Sequence, residues 1–288
     1  MHNNVEKAVI HALSYADIFD APLSFSELHM FIEVAVSRTQ LENILKKQKS
    51  VQYSNGYWCL RGRAKICAIR KTREKVSGDK LNAIQPEIKK ISKIPTVLFI
   101  GVTGSIAVQN AVPSDDIDLC IIARANTLWL TRMVVTLILF LSGKKRSPTQ
   151  VLAPNTICVN LWMSEHDMYF SEKNIFLARE IIHMKKVINK SDMYKRFLVV
   201  NTWVYTFFPN ALPRTVVLPK KRFSVMSLLF PIDYLCFVLQ KWYMGRRKHS
   251  TYVSRTRAAF YPQNTADKIL AKYKKRVVVS SKIDQKRA

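Results

Sequence analysis

Two periodicities alternate through the first sixty residues. Val5, Val9, Ile10, Leu13 and Ile18 recur at the spacing of one helix face, and Ser24-Phe25-Ser26-Glu27 opens a second helix, with Ser24 as cap and Glu27 three residues on. Leu41, Ile44 and Leu45 predict a third helix over 37–49, and 51–60 reads as a hairpin turning at Asn55-Gly56. Three helices and then a hairpin make a winged-helix-like unit over 1–62. Residues 63–94 read as a basic helical connector, interrupted near Ser77-Gly78 and at Pro86.

Beyond residue 94 the pattern changes to short apolar runs. Runs at 96–100, 117–122 and 156–162 predict strands of one core, 95–170. Between them, 127–141 is very apolar but carries Arg132, and it is shorter than the roughly 20 residues of a membrane span, so it reads as a helix buried against the sheet. Arg132 either reaches a phosphate or snorkels to solvent from the helix edge. The segment 171–288 reads as a helical, basic domain. Helices are expected at 174–187 and, rich in aromatics, at 194–208; a third apolar stretch at 223–245 is interrupted by Pro231 and Asp233, which argue against a span and for a buried helix. The fold class expected is α/β in the α+β sense, a mixed sheet with flanking helices between two helical units.

Chemistry concentrates between the first two strands of the core. Gly101-Val102-Thr103-Gly104-Ser105 leaves the first, and Asp116-Ile117-Asp118-Leu119 enters the second. Residues i and i+2 of a strand share a face, so Asp116 and Asp118 converge while Ile117 and Leu119 pack behind. Two carboxylates so placed suit Mg²⁺ or Mn²⁺ shared with substrate phosphates. Gly104 lets the backbone approach a polyphosphate, and Ser105 adds a hydroxyl at the start of a short helix expected over 105–110. A turn through Pro113-Ser114-Asp115-Asp116 is the structural alternative.

Gly-Ser, ten residues, then Asp-x-Asp resembles the core of the nucleotidyltransferase superfamily, which includes polymerase beta and the minimal nucleotidyltransferases; the resemblance covers 97–122. It implies that Gly104 and Ser105 hold the triphosphate of an NTP and that Asp116 and Asp118 are catalytic and bind the metal. More loosely, the whole chain resembles bacterial proteins with this domain behind a winged helix. The family's minimal members carry Arg and Gly where this chain has Val108 and Gln109. They also place a third carboxylate on a later strand, where this chain has Asn160, an amide that can ligate but is no base near neutral pH. Glu165 and Asp167, just past that strand, are the nearest substitutes, and a solvated turn is their simpler role. Transfer of a nucleoside monophosphate to an acceptor hydroxyl is the function implied, with a catalytically degenerate nucleic-acid-binding or regulatory module as the alternative.

Charge widens the choice of partner. The 288 residues carry 46 Lys and Arg against 20 Asp and Glu, a net +26. Eleven of the basic residues fall in 61–93 and fourteen in 241–288, so DNA or RNA is a candidate partner and a peripheral membrane contact a second. The expected third helix offers Arg38, Gln40, Lys46, Lys47 and Lys49 to a DNA groove, although such modules also bind protein. Lys220-Lys221-Arg222 and Arg246-Arg247-Lys248 flank the 223–245 stretch, which ends in Trp242-Tyr243, features of an interfacial segment. Five scattered cysteines without a Cys-x-x-Cys pair fit a reducing cytoplasm, with Cys120 and Cys158 acting as small hydrophobes in strands. The six histidines show neither zinc-ligand spacing nor a nucleophile-triad arrangement.

Overall fold

Ser24 and Ser37 each close a capping box, the first with Glu27 and the second with Gln40. Those boxes set the starts of α2 (Phe25–Phe31) and α3 (Arg38–Lys47), which follow α1 (His2–Asp17). The computed structural model describes residues 2–147, 154–211, 228–245, 252–260 and 264–285. Strands β1 (Val51–Ser54) and β2 (Tyr57–Leu60) form the hairpin; Asn55 and Gly56 both take positive φ, 52° and 92°, as a two-residue turn of this hand requires. Val9, Leu13, Leu28, Ile32 and Leu41 fill the core of this unit.

The connector departs from its expected break. Helix α4 (Lys65–Ala83) runs straight through Ser77-Gly78, and the chain bends only at Ile84 before α5 (Gln85–Ser92), with Pro86 in its first turn. A glycine inside a helix costs about 1 kcal/mol, and here tertiary bonds offset it. Ser77 Oγ accepts from the Ala111 amide at 3.1 Å, and Lys80 Nζ donates to the carbonyls of Pro113 and Asp115 at 2.9 and 2.7 Å.

Strand β3 (Val97–Val102) leads through α6 (Gly104–Ala107) to β4 (Ile117–Ala123); α7 (Leu128–Leu141) and β5 (Ile157–Ser164) follow. Then come α8 (Ile175–His183), β6 (Lys185–Asn189), α9 (Met193–Val200), α10 (Val204–Phe207), α11 (Phe230–Gly245), β7 (Tyr252–Val253), β8 (Arg257–Ala259) and α12 (Thr265–Gln285). The sheet order is β6-β3-β4-β5-β8-β7, with β4 and β5 parallel and the other neighbours antiparallel, so the mixed α+β class is observed. Three of the strands come from beyond residue 170. The helix expected over 174–187 ends at His183, and Met184 turns the chain into edge strand β6.

Alternate residues of β4 face opposite cores. Ile117, Leu119 and Ile121 pack with Trp129 and Val135 of α7, while Cys120 and Ile122 pack with Ala178 and Ile181 of α8 and Phe197 of α9. The aromatics of 194–208 join that second core. Helix α7 is buried on one face only; Arg132 does not snorkel to solvent but donates to Gln240 of α11 beneath the Phe260 ring. Helix α11, expected to be buried, contributes only Asp233 and Cys236 to the fully buried set. Residues 223–227, the start of that expected helix, lie outside the described residues. Among the described residues no helix is long and apolar enough to cross a membrane.

The two ends of the chain meet. Helix α12 lies along α1, where Ser14 Oγ donates to Ser280 Oγ at 3.0 Å and Arg276 pairs with Asp17, while Tyr273 Oη donates to Glu33 at 2.8 Å.

Candidate active site

The end of β3 is shaped by two glycines. A Cβ on Gly101 would lie 2.6 Å from the Phe99 ring and 2.7 Å from the Met184 side chain, so those two side chains fill the space above this glycine. At Gly104 φ is +65°, and a Cβ there would stand 2.8 Å from Asp118 Oδ2. The turn therefore carries no side chain because the Asp118 carboxylate occupies that space. The Thr103 amide donates to the Asp118 carbonyl at 3.0 Å, fixing the turn to β4, and the buried Thr103 hydroxyl has no hydrogen-bond partner among the described residues.

Around the turn the structure gathers residues from four segments. Ligand atoms of Asp116, Asp118 and Cys158 lie within 4.8 Å of one another, because the parallel register of β4 and β5 sets Cys158 opposite Asp118. Arg146 Nη1 donates to Asp116 Oδ2 at 2.5 Å. Asn160, the β5 residue left unpaired where that register shifts, hydrogen-bonds to Asp118. Ser105 Oγ donates to Asp115 Oδ2 at 2.7 Å, and the same carboxylate oxygen accepts the Val112 amide at 3.1 Å, so Asp115 aims the hydroxyl and closes the 112–115 turn. Glu180, on α8, accepts a hydrogen bond from the Gly104 amide.

These groups crowd negative charge into a poorly solvated space. Burial, then Asp116 and Glu180, push the Asp118 carboxyl up to about 7, against the opposing pull of Arg146 and Asn160. Burial likewise lifts Glu180 to about 7, with the Gly104 amide opposing. The Cys158 thiol rises to about 12 through burial and the two aspartates, so it stays protonated. Burial weighs against the charge of Arg146, but Asp116, Cys158 and Asp118 together raise its pKa. Asp116 and Asp118 face the Arg146 guanidinium, and the Lys80 ammonium also acts on Asp116; a divalent cation would add a further counter-charge between the two carboxylates. The donor set fits that role: two hard carboxylates suit Mg²⁺ or Mn²⁺, and a neutral thiol adds little to either.

All four residues singled out in the sequence, Gly104, Ser105, Asp116 and Asp118, come together here. Cys158, read as a small hydrophobe, instead lies beside the aspartates. Glu165 and Asp167 lie in the turn expected at 164–167, closed by the Asp167 amide on the Ser164 carbonyl at 2.9 Å with His166 exposed, but their carboxylates are engaged: Glu165 pairs with Arg196 at 3.0 Å and Asp167 with Arg257 at 2.6 Å, so neither stands in for a third carboxylate. Arg146 and Glu180 escaped the sequence reading, and Asp115 enters it only as part of a turn, which it does close. Asp115 alone had a local signal, since Ser-x₉-Asp brackets the turn; Arg146 and Glu180 reach the site from segments 30 and more residues away. Compared with known proteins, the chain matches no family model, no curated protein and no solved structure.

Proposed function

We propose that the chain transfers a nucleoside monophosphate from an NTP to an acceptor hydroxyl in a reaction dependent on Mg²⁺ or Mn²⁺. The observation that carries this reading is the contact between a side-chain-free turn at Gly104 and the Asp118 carboxylate, with Asp116 beside it. A bare backbone next to paired carboxylates brings a polyphosphate and its counter-ion into one volume. Asp116 and Asp118 would hold the cation, which when bound supplies neutralisation of charge on the triphosphate. The Ser105 hydroxyl, oriented by Asp115, and the Arg146 guanidinium, whose N–H groups donate to phosphate oxygens, would position the triphosphate. The acceptor oxygen bonds to the α-phosphorus, and the bond from that phosphorus to the bridging oxygen of the β-phosphate breaks. Pyrophosphate leaves with the electron pair. Asn160 cannot take the hydroxyl proton, which passes to water. The cytoplasm suits this reaction and five free cysteines.

The test is transfer of label from each α-labelled NTP, with Mg²⁺ or Mn²⁺ and cell extract as acceptor, beside Asp116→Asn/Asp118→Asn. Label moved by the wild type alone supports the reading; transfer that persists in the variant sinks it.

A second reading has its own support. Asp116 and Asp118 already have protein partners in Arg146 and Asn160, an arrangement that suits a degenerate core. The outer face of α3 exposes Arg38, Gln40, Lys46 and Lys47, with Lys49 just beyond it, as a nucleic-acid-binding module would. Salt-sensitive binding of DNA or RNA by both wild type and Asp116→Asn, with no transfer by either, would favour it.

A further inference from the structure

Helices α7 and α11 pack against each other, and among the described residues the pair leaves apolar side chains of both helices exposed. Trp129 and Phe237 meet at 5.1 Å in their seam, and Asp233 of α11 turns inward to accept the amides of Trp129 and Leu130 at 2.7 and 2.9 Å. Turned outward on α7 are Met133, Leu137, Phe140 and Leu141, spaced i, i+4, i+7 and i+8; Phe140 and Leu141 are 68% and 74% exposed. On α11 the outward set is Leu235, Val238, Leu239 and Trp242, at i, i+3, i+4 and i+7, with Leu235 58% and Trp242 59% exposed. A solvated helix face normally carries charge. Here the two helices hold three charged residues, of which Asp233 and Arg132 are spent in their seam and Lys241 alone is exposed.

We propose that this face docks on the surface of an anionic phospholipid bilayer. Charge selects that occupant. The sequence places Lys220-Lys221-Arg222 before α11 and Arg246-Arg247-Lys248 after it, Lys144 follows α7, and the two helices present no exposed acidic residue. Exposed apolar side chains on a helix whose flanking sequence is basic, in a chain of net charge +26, match an acyl region beneath anionic headgroups. A second copy of the chain would set one net charge of +26 against another, which opposes a homodimer through this face. Trp242 and Tyr243 lie at the end of α11 next to the basic triplet, where amphipathic rings settle at headgroup depth. At 14 and 16 residues the helices are about 21 and 24 Å long, so they lie along the bilayer and do not cross it. This docking is independent of the chemistry at Asp116 and Asp118.

Co-sedimentation of the full chain with vesicles of equal parts phosphatidylcholine and phosphatidylglycerol, against phosphatidylcholine alone, tests it. The expected result is partitioning about tenfold stronger onto the anionic vesicles, reduced about tenfold in Leu235→Ser/Leu239→Ser, whose two sites are exposed and tolerate the change. On the native protein, acyl chains brominated near the headgroup should quench tryptophan emission, and Trp242→Phe should remove most of that quenching. Absence of partitioning onto anionic vesicles, partitioning unchanged in the serine variant, or quenching independent of Trp242 would overturn the proposal. So would a concentration-dependent dimer in lipid-free buffer that the serine variant dissociates, since a second copy would then cover the face.

Discussion

Gly104 joins the backbone to the chemistry most directly. Its φ of +65° costs a residue with a side chain about 1–3 kcal/mol, and its missing Cβ leaves room for Asp118 Oδ2. Gly104→Ala is expected to lower stability by about that amount while displacing the carboxylate, so that Mn²⁺ affinity and label transfer fall by more than folding does. Titration calorimetry beside a urea melt separates the two effects; equal metal affinity in the variant would refute the coupling. Asn160 is the second lever, because it bonds to Asp118 from the position where a carboxylate is wanted. Asn160→Asp adds a third negative ligand, and tighter Mn²⁺ binding with faster transfer is expected, measured at pH 8 and above, where the crowded carboxylates are ionised. Unchanged Mn²⁺ affinity would show that this side chain does not face the metal volume.

At the scale of elements, α7 is capped not by its own preceding residue but by α11. Asp233 accepts the two first-turn amides of α7, and burial raises its pKa while those amides oppose the rise. Asp233→Ala leaves both amides buried and unpaired and should cost about 1–3 kcal/mol in a urea melt, loosening α11 with α7. A loss below a few tenths would mean that water replaces the carboxylate. The sequence announced Asp233 only as a charge in an apolar stretch, since a cap supplied from 104 residues away has no local signature. The same physics separates the legible elements from the rest. The capping boxes at Ser24 and Ser37 and the Asn55-Gly56 turn are short-range and were readable. The continuity of α4 through Gly78 depends on Ser77 and Lys80 bonding to a loop some thirty residues on, and β6 depends on pairing with β3, so both were misread. The site divides likewise: Gly104, Ser105, Asp116 and Asp118 lie within one turn and strand, whereas Cys158 is recruited by the register of β5, and Arg146 and Glu180 by tertiary packing.

Over the whole molecule, the N-terminal unit is held to the core by a stack that also sets its response to acid. Arg179 of α8, 3% exposed, lies 4.1 Å from the Tyr15 ring centroid and 4.7 Å from that of Phe31, with the Phe208 ring beyond. One turn later His183 packs on Phe31 with ring centroids 4.1 Å apart. Burial, then Arg179 and Arg70, drive the His183 pKa from 6.5 down to about 3, so the ring is neutral in the folded chain. Between about pH 6.5 and 3 the unfolded chain binds a proton there that the folded chain refuses, and stability falls with falling pH by up to about 1.4 kcal/mol per unit. Glu180 acts in the opposite direction: its pKa is raised from 4.5 to about 7, so the folded chain holds a proton that the unfolded one lacks, and its contribution grows as pH drops through that window. Asp118, likewise raised to about 7, acts as Glu180 does, so the total profile mixes all three, whereas the difference between wild type and His183→Gln isolates the histidine, because Gln can keep the bond to the Arg179 backbone without a titrating ring. Urea midpoints from pH 7.5 down to 5 should fall more steeply in the wild type than in the variant. Parallel profiles would mean that His183 is open to water and protonates freely, and the junction of α2 with α8 would then be looser than the Arg179 stack implies.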